Sequence, residues 1–400
     1  MKFFPLLLHS LGLIQLLTFD VPMSFKNEHN KMSAKNEHNK TNATIQNNFR
    51  APMASLECLD ESTVYSESPM PTRPPSRQTS VHWTTGMRYR NLGKSGLKIS
   101  SIGLGTWVNF GTQLSEETAE EILTAAYDSG INVFDTADGK AEVMLGKILR
   151  KKEWRRSSYI IVTKVFWTGR SDVEKGLSRK QIIEGLHASL ERLELNYVDI
   201  LLVNKADPMC PMEEIVRACT YCIQQGMTLY WGTSRWKTME VMEAYTVARQ
   251  FNQIPPVVEE TEYHMFQRDK VELCHPELFH KIGWYITRLI QSYSVEHVVD
   301  NYSGITDKSA SDDNPSPRHK AKIHQLFLLA EKLGCTLTQL YMAWCLKNDC
   351  VHCVLVGAST VEQLLDHLHA LQVVPQLDTN VVKEIEKILM NKPVRPQVTR

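Results

Sequence analysis

Residues 87–393 predict an α/β fold of the closed (β/α)8 barrel type, and three observations carry that expectation. Short apolar runs of strand length alternate with longer amphipathic segments. Such spacing suits parallel strands, which need a crossover helix between neighbours. Charged or amide residues close successive apolar runs, at the strand ends where barrel enzymes carry their working side chains. A short β-hairpin precedes the first run, placed to plug the bottom of the barrel.

The hairpin, RYRNLGKSGLKIS, turns at Lys94–Gly96. Barrel strands are expected at Ser101–Thr106, Val133–Ala137, Tyr159–Val165, Val198–Val203, Leu229–Ser234, Val257–Glu262 and Cys353–Gly357. Helices are expected at Ser115–Ser129, Ala141–Lys152, Ser178–Glu194, Met212–Gln225, Thr238–Gln250, Lys320–Lys332 and Val361–Leu371. The remaining strand, the seventh, falls to Trp284–Ile290, which has the right length although Arg288 is an awkward residue for a barrel wall. After it, SYSVEHVVDNYSGITDKSASDDNPSPRH is polar and reads as a long loop.

Residues 1–86 have a different character. MKFFPLLLHSLGLIQLLTF is an apolar leader without a small-residue cleavage site, and KNEHNK occurs at Lys26–Lys31 and again at Lys35–Lys40. The Pro/Ser/Arg tract that follows is too poor in bulky apolar residues to offset its ordering entropy, so this region is expected to be disordered. Residues 394–400 are read as a tail.

Lys+Arg and Asp+Glu balance at 45 each, which argues against a nucleic-acid surface. Nine cysteines without disulfide-framework spacing suit a reducing compartment. Cys219 and Cys222 share one face of a helix, whereas Cys350 and Cys353 lead into a strand, so a zinc site built from both pairs is geometrically poor. The basic run Lys147–Arg156 reads as a solvated helix face and turn.

The strand ends carry the chemistry. In order they are Thr106-Trp107, Asp135, Lys164, Asn204, Ser234-Arg235, Glu259–Glu262 and Gly357-Ala358-Ser359.

The motifs YRNLGKSGL, GLGTWVNFG, GLSRKQIIEGLHASLERLELNYVDI, YWGTSRW and EYHMFQR resemble the aldo-keto reductase family, most closely the cytoplasmic beta subunits of voltage-gated potassium channels. The resemblance covers Met87 to Pro393 apart from two altered regions. It implies an aldo-keto reductase-type barrel. It also implies NADP(H) as cofactor, with Thr106, Trp107, Gln113, Asp135, Asn204, Ser234, Arg235, Glu260, Gly357, Ser359 and Gln363 at cofactor-contacting positions. Asn204, in LLVNKADP, matches the asparagine that the channel subunits use beside the carbonyl where most relatives have histidine.

The departures fall at functional loops. In the family's carbonyl reduction a tyrosine donates the proton, its pKa lowered by a lysine that an aspartate holds, and the resemblance makes Asp135 and Lys164 that supporting pair. The family places the tyrosine five residues after the aspartate, but here FDTAD runs straight into GKAEV, and no tyrosine lies between Asp135 and Tyr159. RLIQSYS stands where the family cradles the pyrophosphate, and the basic segment beyond it is rewritten. Glu260 replaces a glutamine that faces the nicotinamide amide, and Asp366-His367 replaces Glu-Asn. Loss of a general acid costs about 10²–10⁴ in rate. Loss of three charge-assisted phosphate bonds, at roughly 1.5–3 kcal/mol each, weakens cofactor binding by orders of magnitude.

The resemblance therefore implies a regulatory channel beta subunit, cytoplasmic and reaching the membrane only through the channel. Its partners would be a second, third and fourth copy of itself and the cytoplasmic tetramerisation domain of the channel alpha subunit, with NADP(H) weakened or lost. Asp135, Lys164 and Asn204 are the catalytic remnants. The alternative is an active NADPH-dependent aldehyde or ketone reductase using a tyrosine of the rewritten segment, such as Tyr285 or Tyr293.

Overall fold

The computed structural model describes residues 86–107, 109–137, 139–166, 176–274, 286–288 and 317–394, all within the unit Thr72–Arg400. The readings for residues 1–85, Tyr285, Tyr293, most of RLIQSYS and the tail beyond Val394 lie outside them.

A hairpin of β1 (Tyr89–Asn91) and β2 (Lys98–Ser100) comes first, antiparallel, with Tyr89 opposite Ser100. The barrel strands are β3 (Ile102–Gly105), β4 (Val133–Asp135), β5 (Ile160–Phe166), β6 (Val198–Asn204), β7 (Thr228–Ser234), β8 (Glu259–Glu262), β9 (Ile286–Arg288) and β10 (Cys353–Val356). Every neighbouring pair is parallel, and β10 pairs with both β3 and β9, closing the barrel. The helices are α1 (Glu116–Asp128), α2 (Gly139–Lys152), α3 (Arg179–Leu193), α4 (Met212–Gln224), α5 (Thr238–Gln250), α6 (Pro317–Lys332), α7 (Leu337–Lys347), α8 (Val361–Val373) and α9 (Thr379–Leu389). The eight-fold α/β barrel expected from the alternation is the fold observed.

Side chains two apart on a strand share a face, and this rule sorts the core into two layers. Val133, Val162, Ile200, Leu202, Val258 and Leu355 fill the barrel interior, joined from below by Leu92 and Ile99 of the hairpin plug. Their strand neighbours Phe134, Ile161, Leu201, Val203 and Trp231 face outward and pack with Ile122, Leu186, Val216 and Leu364 of the surrounding helices. Ser115, Ser178 and Thr360 begin α1, α3 and α8 by accepting backbone N–H bonds, which satisfies donors that a helix leaves open.

Several boundaries differ from expectation. β4 ends at Asp135 rather than Ala137, although Thr136 N–H still donates to Val162 O at 2.8 Å. β5 runs on to Phe166, so Lys164 lies within the strand. β8 begins at Glu259 because Val257 and Val258 bond to β7 through single backbone contacts before the regular ladder starts. Within Trp284–Ile290, the strand spans Ile286–Arg288, whose backbone pairs with β8 and β10 whatever the preference of an arginine. The long polar segment ends earlier than read, since α6 starts at Pro317, a residue suited to a first helical turn.

The basic run also divides. Lys147 pairs with Glu116, and Lys151 and Lys152 with Glu120, as a solvated face would. Arg156 does not: its guanidinium bonds Asp199 at 2.6 Å and lies over the Tyr197 ring, so it is a structural cation between β5 and β6. Burial raises the Asp199 carboxyl while Arg156 opposes that rise.

Candidate active site

The interior parity that places Val133, Val162, Leu202 and Val258 in the core also fixes the next inward residue on each strand. These are Asp135, Lys164, Asn204 and Glu260, with Ser234 from β7 between the last two. All five are buried. Apolar layers below them give way to a polar floor at the C-terminal mouth, the end where barrel folds place their chemistry.

Lys164 organises this floor. Its ammonium forms an ion pair with Asp135 Oδ1 and lies 3.0 Å from Glu260 Oε2, with each of the three side chains only 2–3% exposed. Among the described residues these two carboxylates are the partners of Lys164, and no tyrosine reaches it. Tyr159, the first tyrosine after Asp135 in sequence, sits at the entry of β5 and packs outward against Phe134 and Trp154. Burial raises its phenol further above the ordinary range, which is opposite to what a proton donor needs.

The loop after β3 packs closely on the start of α2. α2 begins at Gly139, shortly after Asp135. Gly111, with φ of +74°, brings the loop after β3 against that helix: a Cβ there would fall 2.7 Å from Lys140 O. Only glycine tolerates both the left-handed backbone and that approach. Beside it opens a surface groove of about 550 Å³ lined by Gly111, Gly139, Lys140, Val143, Lys147 and Arg192. It lies outside the polar floor, and none of Asp135, Lys164, Asn204 or Glu260 lines it.

The sequence-predicted residues thus separate into two groups. Asp135, Lys164, Asn204, Ser234 and Glu260 come together inside, with buried Thr106 donating to Asp135 O. Trp107, 38% exposed, and the exposed Gln113, Arg235 and Ser359 form the rim with Gly357 and Gln363. Arg235 takes a left-handed φ of 63° while its N–H donates to Glu260 O, and the residue is exposed. At the rim Ser359 N–H donates to Gln363 Oε1 at 2.7 Å, and Gln363 N–H donates to Thr360. The start of α8, a natural anion site, is therefore capped by its own side chains.

Two contributors escaped the sequence reading. Asn109 donates from Nδ2 to Ala358 O at 2.9 Å and reaches Ser359 Oγ at 3.3 Å, tying the first strand's loop to the last strand's. Its place just past Trp107 was the available signal. Glu142 is fully buried on α2, accepting from Thr163 Oγ1 at 2.5 Å and Arg192 Nε at 2.7 Å. It anchors the helix that begins at the shortened loop.

The family model for the aldo/keto reductase family matches residues 101–390, well over half of the chain. The chain belongs to that family. In aldo-keto reductases a nicotinamide dinucleotide supplies the hydride, and the ring end of such a cofactor fits the residues present. Asn204 Oδ1 is buried and accepts no hydrogen bond, an amide oxygen suited to a carboxamide N–H. Asn204 and Ser234 would hold that carboxamide, and Ser359 with Gln363 would meet phosphate only after releasing each other. Among the described residues no cluster of His, Cys, Asp or Glu suits a metal ion. Among them, too, no helix is long and apolar enough to cross a membrane.

Proposed function

We propose that this aldo-keto reductase barrel is a regulatory subunit of a voltage-gated potassium channel, with efficient hydride transfer lost and a weakened NADP(H) site retained. The observation that carries the loss of catalysis is the setting of Lys164. Among the described residues no tyrosine reaches its ammonium, which pairs with Asp135 and lies beside Glu260, whereas a carbonyl reductase needs it to lower the pKa of a proton donor. The channel assignment is supported by the framework motifs, GLSRKQIIEGLHASLERLELNYVDI and YWGTSRW above all. These belong to α3, β7 and their neighbours rather than to the altered loops.

On this reading four copies assemble beneath the channel against its cytoplasmic tetramerisation domain, peripheral to the plasma membrane through that complex alone. Light scattering of the full chain, alone and mixed with such a domain, tests both steps. A fourfold assembly that takes up the channel domain is expected, and a well-folded monomer that ignores it overturns the proposal. Turnover of model aldehydes with NADPH is expected to be no faster than in Lys164→Met. Clear turnover abolished by that substitution would replace this reading with an active reductase whose acid lies outside the described residues.

A further inference from the structure

We propose that the surface groove between the loop after β3 and the start of α2 binds a small monocarboxylate with an apolar body, of the size of a medium-chain fatty acid. The site lies outside the polar floor and stands whether or not the barrel holds a dinucleotide. Its volume of about 550 Å³ falls within the range of small-molecule sites, about 300–1,000 Å³.

One wall of the groove is apolar. Val143 is 38% exposed on α2, and half-buried Met144 lies beside it. Arg192 extends this wall with its hydrocarbon stem, whose Cδ lies 3.7 Å from the position a Cβ would take at Gly139. The guanidinium is fixed from behind, with Nε donating to Glu142 Oε2 at 2.7 Å and Nη2 to Ser189 Oγ at 3.2 Å. Such a stem covers apolar surface while its head stays polar, and because it is already held in place, a ligand loses little to ordering it.

The other wall is cationic, with one charge left over. Arg192 is matched by the fully buried Glu142, and Lys147 lies 4.0 Å from Glu116, which also lines the groove. Lys140 is exposed and, among the described residues, has no carboxylate partner. Two matched pairs and one unmatched lysine favour a ligand with a single negative charge. A dianionic phosphate would leave negative charge in excess beside Glu116, and a cation would be repelled by Lys140. Lys140, Val143 and Lys147, spaced by three and then four residues along α2, share one helix face. One molecule can therefore set its carboxylate at Lys140 and its hydrocarbon body on Val143.

Calorimetric titration of the full-length protein with octanoate in low-salt buffer is expected to show one saturable site per chain. Octylamine and inorganic phosphate are expected to bind at least tenfold more weakly, and added salt is expected to weaken octanoate. Lys140→Glu reverses the unmatched charge at an exposed position and is expected to weaken octanoate about tenfold to thirtyfold. Val143→Asp is expected to weaken it as well, by removing the apolar wall. Equal binding of octanoate and octylamine by the wild-type protein, or octanoate binding that survives Lys140→Glu, would overturn the proposal. Absence of octanoate binding would overturn it too, including the case in which a second copy of the chain covers the groove.

Discussion

Arg268 and Glu386 meet through two parallel hydrogen bonds, each 2.8 Å, that join the segment after β8 to the C-terminal helix α9. The same guanidinium bonds Glu272 and lies 5.1 Å from the centroid of Trp344, with the arginine side chain only 4% exposed. Arg268 therefore holds α9 against the barrel from a buried position, and geometry of this bidentate kind gives it specificity as well as strength.

Replacing Arg268 by methionine strands Glu272 and Glu386 without their cation. The expected cost is about 3–5 kcal/mol, the range for breaking a buried pair by removing one partner. Urea denaturation of the two proteins measures it. A change below about 1 kcal/mol would mean that the two carboxylates reach water as readily without Arg268.

Lys164→Met exposes the same physics at the floor of the barrel. Asp135 and Glu260 lose their shared ammonium, and a destabilisation of about 3–5 kcal/mol is expected. Adding Glu260→Gln to Lys164→Met removes one of the stranded charges and is expected to recover part of the loss. That recovery, read as the coupling term of a double-mutant cycle, isolates the Lys164–Glu260 contact. Strict additivity would place the two residues in separate environments.

The parts legible in the sequence were those with a local signature. Asp135 and Lys164 each stand two residues beyond an inward-facing valine, so period-two alternation alone aims them into the barrel. The contact of Glu260 with Lys164 has no local signature, because it exists only once β5 and β8 curve toward a common centre. α7 was missed for a related reason. Leu337, Leu340 and Met342 through Leu346 are all buried, so its sequence lacks the polar face that marks a surface helix. α9 follows the last strand and has no slot in the strand–helix alternation, although its own amphipathic pattern is strong.

Gly232 sits in β7 where the wall of β8 leaves no room. A Cβ there would fall 2.3 Å from both Val258 Cγ1 and Val258 O, and a backbone oxygen cannot rotate away. Gly232→Ala is expected to cost about 1–3 kcal/mol or more by overpacking. Gly96→Ala, in the hairpin turn with nothing within 4 Å, is the matched comparison and is expected to stay within about 0.5 kcal/mol of the parent. Equal thermal midpoints for the two variants would contradict the packing described for β7 and β8.

Glu259 gives the fold a pH dependence opposite to that of an ordinary ion-paired carboxylate. It accepts from Thr233 Oγ1 at 2.6 Å, Trp236 N–H at 3.1 Å and Lys270 Nζ at 3.1 Å. Burial pushes its carboxyl up from 4.5 to about 7, against the pull of Lys270 and Thr233. Between those two values the folded state holds a proton that the unfolded chain has released. Stability then falls as pH rises through this window, because the slope follows the protons bound by the unfolded state minus those bound by the native state. Integrated across the window, the contribution is about 3 kcal/mol, present in full below pH 4.5 and gone above pH 7. Glu259→Gln cannot titrate, so its stability relative to wild type should improve from about pH 5 to about pH 7 and then level off, whatever constant offset its altered hydrogen bonds impose. Denaturation curves at closely spaced pH values measure that difference. A flat difference across the window would mean that the Glu259 carboxyl is ionised throughout, with its three donors outweighing its burial.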